Sequence, residues 1–110
     1  MNTDYFFYRR PETPGPYSLD DLGDTTPSIA AADAIRDGIG LVINGLAWRE
    51  SDAVPGAWFG EGGATFQFTA DLDGQVTSFV GSRLDRRQVL QLARAMGLIA
   101  LDLQRDMVFA

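Results

Sequence analysis

Apolar and polar residues alternate without a break over positions 65–72, with Phe66, Phe68, Ala70 and Leu72 on one side and Thr65, Gln67, Thr69 and Asp71 on the other. A period of two puts successive side chains on opposite faces of an extended chain, so this segment predicts a half-buried strand. Asp73-Gly74 carries the turn residues of a tight hairpin, and a return strand is expected over 75–80. Near the start, Tyr5-Phe6-Phe7-Tyr8 is aromatic at four consecutive positions, which predicts a first strand covered on both faces.

Two segments carry a helical period instead. Ile29, Ala32, Ile35 and Ile39 form a narrow apolar stripe with Asp33, Arg36 and Asp37 outside it. Thr26 as N-cap and Pro27 at the first helical position predict where this helix begins, and Gly38 predicts its end. Leu41-Val42-Ile43 then reads as a buried strand running toward Trp48. In the second segment Asp85 and Gln88 have the spacing of a capping box, and Leu84 and Val89 that of a hydrophobic staple. Val89, Leu92, Ala93 and Met96 make its inner face and Gly97 its stop. Ile99, Leu101, Leu103, Met107 and Phe109 are expected along one side of a final strand interrupted at Arg105. Residues 49–64 hold Pro55 and glycines 56, 60, 62 and 63, and are expected to be a long flexible loop.

The resulting order, β-α-β-β-β-α-β, predicts an α+β fold: a mostly antiparallel sheet of about five strands with two helices on one face. A chain of 110 residues fits one domain over 1–110, with 9–25, rich in proline, as a loosely packed loop or arm.

Composition removes much chemistry. Cysteine and histidine are absent, and all nine basic residues are arginines. Disulfides, thiolate metal sites, imidazole bases, Schiff-base lysines and Walker-type phosphate lysines are therefore excluded. An arginine-only basic set with abundant Ala, Gly and Asp fits a GC-rich coding sequence and a bacterial source. No basic and apolar leader opens the sequence and no stretch approaches the length of a membrane span, so a cytoplasmic location without membrane contact is expected.

Charge is unevenly spread. Residues 1–80 hold twelve acids and four arginines, a net of −8, and residues 81–110 three acids and five arginines, a net of +2. Such a surface repels nucleic acid and attracts a basic partner over distance.

The remaining chemistry-bearing patterns are sparse. Asp71-Leu72-Asp73-Gly74 matches part of a calcium loop, but that register puts Thr69 and Val80 where the first and last ligands belong. Gly60-Glu61-Gly62-Gly63 lacks the following lysine and helix of a phosphate cradle. Glu50, Asp52 and Glu61 could supply a carboxylate pair only if two of them converge. Neither a cofactor nor a metal site is expected. Trp58 and Phe59 beside Glu61 are candidate binding anchors, while Trp48 is expected in the core. Asp20, Asp21 and Asp24, with Asp33 and Asp37 nearby, form the densest acidic run. Arg83, Arg86, Arg87 and Arg94 form a basic surface around the second helix, expected to pair with acids of the first eighty residues.

In profile the chain looks like the small acidic bacterial proteins that neutralise a toxin or nuclease by occluding its active site, immunity proteins of interbacterial toxins first among them. The expectation is a non-enzymatic inhibitor of a basic toxin or nuclease, monomeric or weakly dimeric when free. Its partner site is expected at Asp20, Asp21, Asp24, Asp52, Trp58, Phe59 and Glu61, with no catalytic residue. The alternatives are a phage-encoded inhibitor of a host defence nuclease, a carboxylate-based hydrolase and a self-associating structural module.

Overall fold

The computed structural model describes residues 4–10, 28–102, 104–105 and 107–109. Along the chain these form β1 (Asp4–Arg9), β2 (Ala30–Ala31), α1 (Ala32–Val42), β3 (Ala47–Glu50), β4 (Ala57–Glu61), β5 (Thr65–Thr69), β6 (Gln75–Val76), β7 (Ser78–Ser82), α2 (Arg86–Met96), β8 (Leu98–Asp102) and β9 (Met107–Phe109). Seven strands make one sheet in the order β3-β4-β5-β7-β1-β8-β9, antiparallel at every step, and β2 and β6 pair separately. The architecture is the expected α+β arrangement with more strands.

Residues directly opposed in an antiparallel ladder share a face. The register Trp48↔Gly60↔Phe66↔Gly81↔Tyr5, with Trp58↔Phe68 and Phe79↔Phe7↔Ala100, therefore defines one face of the sheet. Ile35 and Ile39 of α1 and Val89 and Leu92 of α2 are buried in the same cluster as Phe7, Phe66, Phe68 and Phe79, so both helices lie on this side, as expected. The aromatic run of β1 is split between the faces. Phe7 is fully buried under the helices, whereas Phe6 and Tyr8, on the far side, are half-buried opposite Leu101 and Ile99.

Helix α2 follows its sequence signals closely. The Asp85 carboxylate accepts the Gln88 N–H at 2.7 Å, and the Gln88 side chain accepts the Asp85 N–H at 3.0 Å. Gly97 closes the helix in the left-handed region at φ 66°, where a side chain is disfavoured. Removing the Asp85 carboxylate leaves the Gln88 N–H without its acceptor, while the residue-85 N–H can keep the Gln88 side chain. Asp85→Ala should lower stability by about 1–2 kcal/mol, read from the midpoint of urea unfolding at unchanged slope. A shift below a few tenths of a kcal/mol would mean that solvent caps the helix as well as Asp85 does.

Helix α1 departs from expectation at both ends. Residues 30–31 are extended and pair with Gln75–Val76, and the helix starts at Ala32; Thr26 and Pro27 lie outside the described residues. Ala31 provides no side-chain cap. Instead, the Ala32 N–H donates to the Gly74 carbonyl and the Ala34 N–H to the Asp33 carboxylate. At the other end the helix runs through Gly38 to Val42, so Leu41-Val42-Ile43 is not a buried strand, and Leu41 is 86% exposed. Gly38 is where α1 meets α2: a Cβ there would come within 2.9 Å of Met96 Cε. The glycine marks a helix crossing rather than a helix end.

Three further expectations are corrected. Residues 49–64 contain the end of β3 and all of β4, paired as a hairpin, and are not one long loop. The hairpin turn is closed by the Glu50 carboxylate accepting the Gly56 N–H at 2.9 Å and by Ser51 Oγ accepting from Ala53 and Val54. The Asp71–Gly74 turn is present, with Asp71 Oδ1 accepting the Asp73 and Gln75 N–H groups and Gly74 at φ 78°, but it leads into β6, which joins β2 rather than β5. Leu72 sits on this turn, fully exposed, and outside the strand. The final strand is a hairpin of β8 and β9, in register Leu101↔Val108. Asp102 bends the chain there, its Oδ1 accepting from the Gln104 and Arg105 N–H groups. Leu103 lies outside the described residues.

Candidate functional site

The sheet face away from the helices differs between its two halves. Along β1 and β8 it is apolar and closed, with Ile99 and Leu101 buried. Along β3, β4 and β5 it is polar and open: Arg49, Gln67, Thr69 and Glu61 are exposed there, with Phe59 half-buried among them. This open half contains a groove of about 770 Å³ that runs from the β3–β4 turn toward β7. Arg49, Phe59, Gln67, Thr69, Ser78 and Val80 form its walls, and Glu50 and Asp52 stand at its mouth. The Arg49 guanidinium lies 5.1 Å from the centre of the Phe59 ring, close enough for a cation–π contact that holds both side chains along the wall.

The groove has a topological origin. β5 and β7 are paired over only three residues each, ending at Gln67↔Val80. Beyond that point the connecting chain leaves the sheet toward the helices, where Val76 is fully buried and β6 joins β2. The two strands separate, and the groove occupies the space between Phe68-Thr69 and Ser78-Phe79.

Of the sequence candidates, Asp52, Trp58 and Phe59 line this groove. Glu61 is two positions beyond Phe59 on the same face of β4 and is exposed. Trp58 touches the groove only from the strand, because its ring belongs to the helix side. There Arg36 of α1 lies 4.1 Å above the indole centre, and the aromatic face takes the place of a hydrogen bond to the buried Arg36 Nε. Trp48 is half-buried against Phe66 and Phe68, at ring separations of 6.5 and 5.8 Å. Asp20, Asp21 and Asp24 lie outside the described residues. Arg49, Gln67, Ser78 and Val80 were not singled out by sequence. Alternation placed Gln67 on the polar face, but nothing local signals that β5 and β7 part company.

Of the three loop acids, Glu50 and Asp52 both border the groove and Glu61 stands apart from them. Glu50 is engaged by its own turn, and Glu61 is at the opposite end of the hairpin on the other face, about 10 Å along the strand from the residue facing Glu50. Among the described residues no group of three acids could hold a metal ion. Arg83, Arg87 and Arg94 make no ion pair among the described residues, so the expected pairing with acids of the first eighty is not seen for them. Arg105 forms an ion pair with buried Asp102 at 3.9 Å. Among the described residues no helix is long and apolar enough to cross a membrane.

Fold and groove together define a small α+β domain that leaves half of one sheet face open. No protein-family model, curated protein or solved structure matches the chain.

Proposed function

We propose that this chain is a non-enzymatic binding protein that neutralises a basic partner, a bacterial toxin or nuclease, by stoichiometric occlusion, and that it engages this partner through the open half of its sheet. The observation that carries this reading is the grouping of Asp52, Phe59 and Glu61 on or beside one groove. An aromatic ring between carboxylates combines apolar burial with long-range attraction for a basic surface. Residues 1–80 carry a net charge of −8, against −6 for the whole chain. Phe59, rather than Trp58, is the anchor on this reading, because Arg36 and α1 already occupy the indole.

The test is capture of proteins from lysate of the native host by tagged wild-type protein and by a D52R/F59A/E61R variant, with stoichiometry read by mass spectrometry. Wild type should retain one basic protein in equal amount, released at high salt. The variant should retain at least about 30-fold less, the equivalent of losing one hot-spot contact. Equal recovery by both proteins would overturn this surface as the binding site. Circular dichroism should show the variant folded, since all three side chains lie outside the helix-side core.

A further inference from the structure

The groove is bounded by strand edges as well as by side chains. Phe68 and Phe79 line it, yet their rings are 5% and 1% exposed and belong to the core beneath the helices. What they bring to the groove is therefore their main chain. Successive residues of a strand direct their N–H and C=O groups to alternate neighbours. Beyond the last pair, Gln67↔Val80, one residue of Phe68-Thr69 and one of Ser78-Phe79 must turn these groups toward the gap, where among the described residues no strand is paired with them. The other edge of each strand is satisfied, β5 by β4 and β7 by β1. Two facing, unpaired edges inside a sheet form a template for an incoming extended chain.

Building on the function proposed above, we infer that the partner is engaged at this split by an extended polypeptide segment, which adds main-chain hydrogen bonds to β5 or β7. The groove's side chains define what such a segment carries. Phe59 and Val80, both opposed to Gln67 in one row of the sheet, offer an apolar surface to a side chain at one position of such a segment. Two carboxylates at the mouth against the single Arg49, which is stacked on Phe59, favour a basic side chain at the adjoining position. A strand carrying basic and apolar residues in alternation meets both demands.

Two measurements on the full chain test this. In the free protein, amide exchange should be at least about tenfold faster at the gap-facing amides of 68–69 and 78–79 than at the paired residues 66–67 and 80–81. Uniformly slow exchange would mean the split is closed and would overturn the inference. An eight-residue Arg-Val alternating peptide should then slow those gap amides by at least about tenfold, and the same peptide with its alternate amides N-methylated should bind at least about tenfold more weakly. A Glu-Val peptide should bind more weakly than Arg-Val at low salt. Equal binding of methylated and unmethylated peptides, or no protection by Arg-Val, would overturn strand addition. Protection that appears with rising protein concentration alone would assign the split to a second copy of this chain and overturn a foreign partner. Loss of partner capture by D52R/F59A/E61R together with indifference to N-methylation would sink strand addition while leaving the proposed face intact. Methylation-sensitive docking with unchanged capture would do the reverse.

Discussion

Phe79→Ala should cost about 3–5 kcal/mol and lower the thermal midpoint by more than about 10 °C. Phe79 is 1% exposed at the centre of the sheet, stacked on Phe7 with ring centres 4.7 Å apart and planes 12° from parallel, and tilted against Phe66 at 6.2 Å. Its removal opens a cavity bounded by two rings anchored in separate strands, β1 and β5, and by both helices. The backbones of Phe7 and Phe66 cannot move in to fill the cavity without breaking a ladder. The loss would take a large share of a domain stability of about 5–15 kcal/mol. A cycle of Phe79→Leu and Phe7→Leu should give a coupling of about 0.5–1.5 kcal/mol from the stacked pair. Differential scanning calorimetry decides the matter. A midpoint drop below about 5 °C would show that the core collapses around the deletion.

The centrality of Phe79 was not visible in the sequence, where it sits in an undistinguished return strand. What was visible were features whose causes are local. The Asp85–Gln88 box and the Gly97 stop each depend on residues within four positions of one another and formed as expected, and the turn expected at Asp73-Gly74 is present although the chain after it pairs first with β2. Alternation likewise placed Phe66 and Phe68 inward and Gln67 and Thr69 outward. The failures share a non-local cause. Residues 30–31 gave up a helical conformation because the main chain at 74–76 was there to pair with them. Residues 57–61, despite two nearby glycines, became a strand because Gly60 lets the Trp48 indole lie flat on it. A Cβ at Gly60 would be 2.7 Å from that ring. Glycine there reports on Trp48, twelve residues away in the sequence and opposite it in the ladder, rather than on local freedom.

The candidate site shows the same division. Asp52, Phe59 and Glu61 were legible as charge and apolar area near a turn, and the structure puts them on or beside one groove. The groove itself was not legible, because it arises where β5 and β7 separate, and that depends on β6 being drawn away to β2. Sequence pattern identified side chains suited to contact, whereas topology supplied the concavity and the unpaired strand edges.

Gly38→Phe is expected to destabilise by about 1–3 kcal/mol or more, the opposite of what local propensity alone implies. Glycine in a helix interior is the least favourable residue after proline, and phenylalanine would improve it by a few tenths of a kcal/mol if nothing opposed the change. Met96 opposes it: its Cε, Sδ and Cγ lie 2.9, 3.2 and 3.4 Å from the position a Cβ would take. A methyl group could be accommodated by moving the flexible end of Met96, so Gly38→Ala should change stability by less than about 1 kcal/mol. A ring could not, and α1 and α2 would have to separate over the buried Ile35, Ile39, Val89 and Leu92. Shortening the opposing side chain should relieve the collision. Gly38→Phe combined with Met96→Ala should therefore be more stable than the two single losses summed, by about 0.5–3 kcal/mol. Urea unfolding of the four proteins measures this coupling directly. Zero coupling, or a Gly38→Phe protein more stable than wild type, would mean that this glycine is not held at the helix crossing by Met96. A positive coupling would explain why a residue that reads as a helix stop lies in the middle of one.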